Sequence, residues 1–252
     1  MKETAEAGSS TIKLSVAVDW QVGEEISIAS TSYDSREAEQ RTIKAITDAD
    51  THPIITLDKP LEYRHFAGIE TYGDKEIDMR AEVGLLTRSV VYKGEDEHTV
   101  DNQYGAIIFI HSEGDDSLRA RLSYTEFTQV GQAFKVGRYP VHFHLIGTVH
   151  ESYAQGNAVH TSFNRAFTIH GNEYLRITEN VVFNAMGHNV FIEDGIERHN
   201  YVARNLIMMT KRSWSLLNTD QTPACFWITN PNNDFIDNHA AGSDRYGYWY
   251  DL

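Results

Sequence analysis

Three stretches in the second half of the chain repeat one another: GNAVHTSFNRAFTIHG (156–171), ENVVFNAMGHNVFIEDG (179–195) and RNLIMM (204–209). Each contains an asparagine followed by a short apolar strand, and Asn157, Asn180 and Asn205 recur at nearly equal intervals. A repeat of roughly 25 residues, with short strands and no helix, is typical of a parallel β-helix, whose coils stack on one another. We therefore expect these asparagines to form a hydrogen-bonded ladder at one corner of successive coils.

The rest of the chain also reads as strands. Alternating apolar and polar residues, rich in Ile and Val, predict strands in TIKLSVAVDW (11–20), EEISIAS (24–30), GLLTRSVVYKG (84–94) and YGAIIFIHS (104–112). Only EAEQRTIKAI (37–46) resembles a helix, and it is short. The next asparagine of the ladder, Asn238, follows Asn205 after a clearly longer interval, which predicts an insertion within residues 211–223. The fold class is therefore all-β.

Composition excludes several function classes. The 252 residues include 22 Lys and Arg against 36 Asp and Glu, a net charge of −14, which argues against nucleic-acid binding. Cys225 is the single cysteine, so no disulfide forms within this chain. The polar start MKETAEAGSS carries no apolar targeting signal, and no apolar run reaches the length of a membrane span. The chain is either cytosolic or a piece of a longer protein.

The segment GRYPVHFHLIG (137–147) contains a candidate site. In a strand, His142 and His144 point to one face and Phe143 to the other, which we expect to be the interior of the coil. Residues one coil apart stack, and the interval of about one repeat separates His144 from His170 and His170 from Asp194. The spacing predicts a row of His144, His170 and Asp194.

This row has two interpretations. Two imidazoles and a carboxylate suit a divalent metal ion or acid–base catalysis, while a column of stacked polar side chains can also be purely structural. His142, His188 and Glu193 are nearby candidates for ligand binding, although Glu193 should face away from Asp194 in a regular strand. Arg138 is a candidate to hold a sugar carboxylate.

Five motifs carry a family resemblance: DMRAEVGLLTR (78–88), GRYPVHFHLIG (137–147), SFNRAFTIHG (162–171), GHNVFIEDGIE (187–197) and FWITNPNN (226–233). Together they resemble the fibrocystin and CEMIP group of proteins. The resemblance implies a right-handed parallel β-helix preceded by an eight-glycine-type β domain. The domains expected from it are a disordered tail (1–9), the C-terminal part of the eight-glycine domain (10–75) and a β-helix truncated at its C-terminal end (76–252).

The connection SLLNTDQTPACFWITNPNN (215–233) is short, as in the fibrocystin-like branch. This branch implies a non-enzymatic extracellular module of a large cell-surface protein, whose partners are glycans or, through the open end of the solenoid, other protein chains. The alternative is a hyaluronan-type depolymerase. In that alternative, His144 or His170 acts as base or metal ligand, Asp194 acts as ligand or orienting group, and a divalent metal ion is the possible cofactor.

Overall fold

A computed structural model of the chain describes residues 1–214 and 217–252, with the backbone alone at residues 96 and 97. The chain divides into two compact units, Met1–Thr87 and Arg88–Leu252. The boundary lies later than the predicted residue 75, because the strand Val83–Leu85 pairs with Glu25–Ile28 inside the first unit.

The first unit is an antiparallel β structure. Its strands are β1 (Thr11–Lys13), β2 (Glu25–Ile28), β3 (Glu39–Thr47), β4 (Ile54–Leu57), β5 (Ile69–Tyr72), β6 (Lys75–Asp78) and β7 (Val83–Leu85), with a 3₁₀ turn at Ser35–Glu37. Five strands form a sheet in the order β1-β4-β3-β2-β7, and β5 and β6 form a separate hairpin. Isoleucines from β1 to β4 fill its core. That this unit is of the eight-glycine type stays a prediction.

One prediction for the first unit differs from the structure, and one stretch with a helical look is a strand. Residues 1–9 are packed rather than disordered: Met1 and Ala5 are buried, the Met1 amino group donates to Ala81 O over 2.6 Å, and Ala5 pairs with His65. Residues 37–46, the one stretch that resembles a helix in the sequence, lie mostly in strand β3. Burial alternates along this strand, and it pairs on both sides, so tertiary pairing overrides the weak helical pattern.

The second unit consists of three parallel sheets whose strands recur once per coil. Its strands are β8 (Val90–Lys93), β9 (Ile108–His111), β10 (Arg121–Ser123), β11 (Thr125–Val130), β12 (Val141–Thr148), β13 (Tyr153–Gln155), β14 (Ala158–Ser162), β15 (Phe167–Glu173), β16 (Arg176–Thr178), β17 (Val181–Met186), β18 (Val190–Ile192), β19 (Tyr201–Ala203), β20 (Leu206–Lys211), β21 (Ala224–Ile228), β22 (Asp234–Ile236), β23 (His239–Ser243) and β24 (Tyr246–Tyr250). The sheets run β8-β11-β14-β17-β20-β23, β9-β12-β15-β18-β21-β24 and β10-β13-β16-β19-β22. Helix α1 (Asp96–Asn102) lies between β8 and β9. This arrangement is a parallel β-helix, as the repeats predicted; its right-handedness stays a prediction.

Asparagine ladders stabilise the corners of the coils. The predicted ladder is present: the Nδ2 atoms of Asn157, Asn180 and Asn205 each donate to the Oδ1 of the next asparagine over 2.9–3.0 Å, and Asn238 is its last member. The sequence analysis missed a second, shorter ladder at another corner, in which Asn200 Nδ2 donates to Asn233 Oδ1 over 3.0 Å and Asn200 Oδ1 accepts from Leu175 N of the preceding coil. These side chains satisfy backbone groups that the turns leave unpaired.

The predicted insertion lies between β20 and β21 and contains a 3₁₀ turn at Asn218–Gln221; Ser215 and Leu216 lie outside the described residues. Asp220 anchors this insertion, because its carboxylate pairs with the fully buried guanidinium of Arg165 at 2.9 Å. No helix in the described ranges is long and apolar enough to span a membrane.

Candidate functional site

The histidines are positioned by the register of the sheet that contains β12, β15 and β18. His144 lies opposite His170, as predicted, and His111 precedes them in the same column. Ile169 lies opposite Ile192, so the residue that continues the column after His170 is Glu193. The backbone confirms this register, because Glu193 N donates to Ile169 O over 3.1 Å. The predicted row of His144, His170 and Asp194 is therefore wrong at its third position by one residue.

His142, His144 and His170 converge and are called the histidine cluster here; one ring nitrogen from each lies within 4.8 Å of the others. His144 Nδ1 lies 3.3 Å from His142 Nε2 and 3.0 Å from His170 Nδ1. The carboxylate of Glu193 closes the group, with Oε2 at 3.3 Å from His170 Nδ1 and 3.9 Å from His142 Nε2. Glu193 therefore takes the place in the histidine row that the spacing gave to Asp194.

The cluster lies on the outer face of its sheet but is largely shielded from solvent. Phe143, between the two histidines of β12, is fully buried in the coil interior, as expected. On the outer face, the ring centroids of Tyr139 and Phe109 lie 4.8 and 5.1 Å from the ring centroid of His142. As a result, His142 is 1% exposed, while the side chain of His170 is 14% exposed.

Hydrogen bonds outside the cluster orient two of its rings. The carbonyl oxygen of Gly137 can only accept, so His142 Nδ1 donates to it over 2.9 Å and leaves Nε2 facing the cluster. Likewise, His170 Nε2 lies 2.8 Å from Asp194 Oδ2, which leaves Nδ1 facing inward. Asp194 is thus an orienting group in this geometry and not a member of the column.

A buried carboxylate holds the loop that carries Asp194. Glu197, 1% exposed, accepts from Gly171 N and Gly195 N over 2.8 Å and from Asp194 N over 3.2 Å. The loop after β18 is therefore tied to β15 at the residue that follows His170. The sequence analysis missed Glu197, because nothing in its spacing distinguishes it from the neighbouring acids.

Burial sets the protonation of the cluster. It lowers the pKa of His142 to about 4 and also lowers the pKa of His144, so both imidazoles are neutral near pH 7. Burial raises the pKa of Glu193. Its Oε2 atom is buried and accepts no hydrogen bond from the described residues. The cluster thus presents nitrogen lone pairs and an unsatisfied carboxylate oxygen at one point.

Two further candidates from the sequence lie elsewhere. His188 is fully buried; its Nδ1 accepts from Ala224 N over 3.1 Å, and its ring packs 4.1 Å from that of Trp227. Burial lowers the pKa of His188 to about 3, so it is a neutral core residue. Arg138 is exposed in the turn before β12, and its side chain makes no contact with the cluster among the contacts of the described residues.

A groove of about 580 Å³ begins where the histidine column ends. Its lining includes Gly147 and Gly171, on neighbouring coils, and Gly171 directly follows His170. Both glycines have positive φ, a conformation that favours glycine, and an added Cβ at Gly171 would also lie 3.2 Å from Leu145 Cα. Arg198, also in the lining, pairs with Glu173 at 2.7 Å.

Known proteins resemble this chain along most of its length. Fibrocystin-L of Mus musculus is 38% identical over 287 aligned positions, which cover 99% of this chain and 7% of that protein. Fibrocystin-L of Homo sapiens is 36% identical with the same coverage, and the cell surface hyaluronidase CEMIP2 of Homo sapiens is 34% identical over 95% of this chain and 20% of that protein. The chain thus spans at most a fifth of the length of these three relatives.

A family model described as the CEMIP beta-helix matches residues 103–252, which contain the histidine cluster and the groove. This range corresponds to most of the parallel β-helix of the second unit. The match agrees with the resemblance carried by the sequence motifs. The chain belongs to the CEMIP β-helix family.

Proposed function

We propose that this chain is the polysaccharide-contacting β-helix module of a larger cell-surface protein. The observation that carries the proposal is the groove beside the histidine column, which is concave, lined by polar groups and large enough for sugar residues. Cell-surface placement is inferred from CEMIP2, which is named a cell surface hyaluronidase.

The chemistry of the groove suits a sugar chain. Thr148 presents a hydroxyl that can pair with sugar hydroxyls, and Asn230 keeps a second amide hydrogen beside the one it donates to Gly195 O. Arg198 pairs with Glu173 through Nε, which leaves its terminal nitrogens for a uronate carboxylate. The net charge of −14 disfavours general anion binding, so an acidic polysaccharide has to be recognised by a local cation of this kind.

Contact without cleavage is the form of the proposal that the geometry supports best. Most glycosidic cleavage needs a proton donor and a base or nucleophile on either side of the bond. In the groove, Glu173 is already paired with Arg198, and beside the groove His142 is shielded from solvent. Hyaluronan is the first polysaccharide to test because of the name of CEMIP2.

The test compares two arginines that are similar in exposure and in pairing with a glutamate but differ in location. Arg198 and Arg204 are both about half exposed, and each pairs with a glutamate of the preceding coil, at 2.7 and 2.8 Å. Only Arg198 is among the groove residues described. We expect Arg198→Ala to weaken binding to immobilised hyaluronan about tenfold, the effect of one charge-assisted hydrogen bond, and Arg204→Ala to leave it unchanged. Equal effects of both substitutions, or no polysaccharide binding by the wild type, would contradict the proposal.

A hyaluronan-type depolymerase is the second candidate, favoured by the 2.8 Å contact between His170 Nε2 and Asp194, which can tune an imidazole for proton transfer. In that case His144 or His170 acts as the base and Asp194 orients it. Size-resolved electrophoresis of hyaluronan after incubation with the chain decides between the two. Shortening that is lost in His170→Gln supports the depolymerase; unchanged chain length supports contact alone.

A further inference from the structure

We propose that the histidine cluster and Glu193 bind one divalent first-row transition-metal ion, with zinc as the ion to test first. The ligands are His142 Nε2, His144 Nδ1, His170 Nδ1 and Glu193 Oε2. This set differs from the row expected from spacing, because Glu193 replaces Asp194 and His142 is added. The inference concerns the cluster alone and does not depend on polysaccharide binding in the groove.

The distances match those of a four-coordinate site. A zinc ion bound tetrahedrally at its usual distances to nitrogen and oxygen separates its ligand atoms by about 3.3 Å from one another. In the cluster, the ligand atoms are separated by 3.0 Å (His144 to His170), 3.3 Å (His142 to His144 and His170 to Glu193) and 3.9 Å (His142 to Glu193). These four separations lie within about 0.6 Å of the tetrahedral value. The ring nitrogens of His142 and His170 lie within 4.8 Å of each other, so those two rings have to approach to hold an ion.

Hydrogen bonding within the cluster leaves lone pairs without donors. His142 Nε2 and His170 Nδ1 both carry lone pairs, because the other nitrogen of each ring donates to an acceptor outside the cluster. In the metal-free chain, a hydrogen on His144 Nδ1 can serve only one acceptor well, and it moves to Nε2 of the same ring when Nδ1 binds the ion. Glu193 Oε2 remains buried and unpartnered among the described residues. Such a group is costly to bury, and a cation at the centre satisfies all four atoms at once.

The groups around the cluster are those expected around metal ligands. Histidines that bind metals usually donate their second nitrogen to a carbonyl or carboxylate, which fixes the tautomer. Gly137 O does this for His142, and Asp194 does it for His170. Glu197 in turn holds the backbone of Asp194, so the orienting carboxylate is itself anchored.

The donor set favours zinc and its neighbours over calcium or magnesium. Imidazole suits Zn, Ni, Co and Cu, whereas calcium and magnesium require mainly oxygen ligands. Four protein ligands also leave no open position, which is typical of structural rather than catalytic zinc sites. A closed site of this kind would fix β12, β15 and the loop after β18 to one another.

The experiment uses the untagged full chain, stripped with a chelator and titrated with zinc chloride in a calorimeter, followed by elemental analysis after desalting. We expect one zinc per chain. His170→Gln and Glu193→Gln should abolish stoichiometric binding, and Asp194→Asn should keep the stoichiometry with a roughly 10–100-fold weaker affinity. His150→Gln, at an exposed histidine outside the cluster, is the matched control and should bind as the wild type does.

Cobalt(II) provides a second readout that needs no variant. Cobalt in a four-coordinate site absorbs visible light much more strongly than octahedral cobalt, so an intense band that zinc removes supports the proposed geometry. A weak octahedral spectrum, no bound metal in the wild type, or undiminished binding by folded Glu193→Gln would each overturn the proposal. Circular dichroism of every variant establishes that a lost signal is not lost folding.

Discussion

The asparagine ladder and the histidine cluster are both columns of polar side chains stacked across the coils of one β-helix, yet their hydrogen bonding differs. In the ladder, Asn180 Nδ2 donates to Asn205 Oδ1 and to Ala154 O, and its own Oδ1 accepts from Asn157. In the cluster, Glu193 Oε2 is buried without a hydrogen-bond donor from the described residues. Neighbours one coil away complete the hydrogen bonds of the ladder, whereas the described neighbours of the cluster leave one carboxylate oxygen unpaired.

This difference separates a structural column from a candidate site better than residue type does. A fully paired network stabilises the fold and has no remaining capacity to bind, whereas a buried unpaired group destabilises the fold until a ligand satisfies it. Substitutions in the two columns should therefore change stability in opposite directions.

The largest effect is expected in the ladder. Asn180→Ala leaves Asn157 N, Ala154 O and Asn205 Oδ1 with lost or weakened pairing inside a buried corner. We expect the free energy of unfolding to fall by about 4 kcal/mol, measured by urea denaturation. Asn238→Ala, at the half-buried last member, should cost less, because water can replace its bonds. A loss below about 1 kcal/mol at Asn180 would mean that the ladder is not a main stabilising element.

The next effect depends on pH and concerns a histidine that is buried outside the cluster. The folded chain keeps His188 neutral down to about pH 3, while the unfolded chain takes up a proton near pH 6.5. The free energy of unfolding should therefore fall as the pH is lowered from about 6.5 towards 3, by about 1.4 kcal/mol per pH unit from this residue. Asp220 and Arg165 are the charged groups that act on it.

His188→Asn tests this contribution, because asparagine keeps an acceptor for Ala224 N and does not titrate. We measure the free energy of unfolding in urea at pH 6 and pH 4. In His188→Asn it should fall with decreasing pH less steeply than in the wild type, by about 1.4 kcal/mol per pH unit. The exposed His150→Gln variant should keep the wild-type slope. An unchanged slope in His188→Asn would show that His188 is protonated in the folded chain.

The smallest effect has the opposite sign. In the metal-free chain, Glu193→Gln removes a carboxylate whose burial raises its pKa and whose Oε2 accepts no hydrogen bond from the described residues. We expect the free energy of unfolding at pH 7 to rise by about 1 kcal/mol, because burying an amide costs less than burying a charge. Thermal unfolding with and without zinc measures this, and of the two chains the wild type alone should be stabilised by the metal. Destabilisation of the metal-free chain by Glu193→Gln would place Glu193 in a complete network like that of the ladder.

Periodicity in the sequence was enough to predict the β-helix, the ladder at Asn157, Asn180 and Asn205, and the stacking of His144 on His170. These features repeat once per coil, so the spacing of residues in the sequence translates directly into neighbours in space. The same reasoning missed the ladder at Asn200 and Asn233, because the corresponding position of the preceding coil is Leu175 and no run of asparagines marks the period.

Tertiary structure alone decided which carboxylate joins the histidines. At the end of β18, Glu193 and Asp194 both follow His170 by about one coil, so the sequence allows either to stack on it. A shift of the register by one position exchanges the two carboxylates and reverses the face to which each points. The turn at Gly137 that orients His142 likewise depends on hydrogen bonds that no repeat reveals. Sequence period determines which coils are neighbours, whereas the hydrogen bonds of strand ends and turns determine which atoms meet.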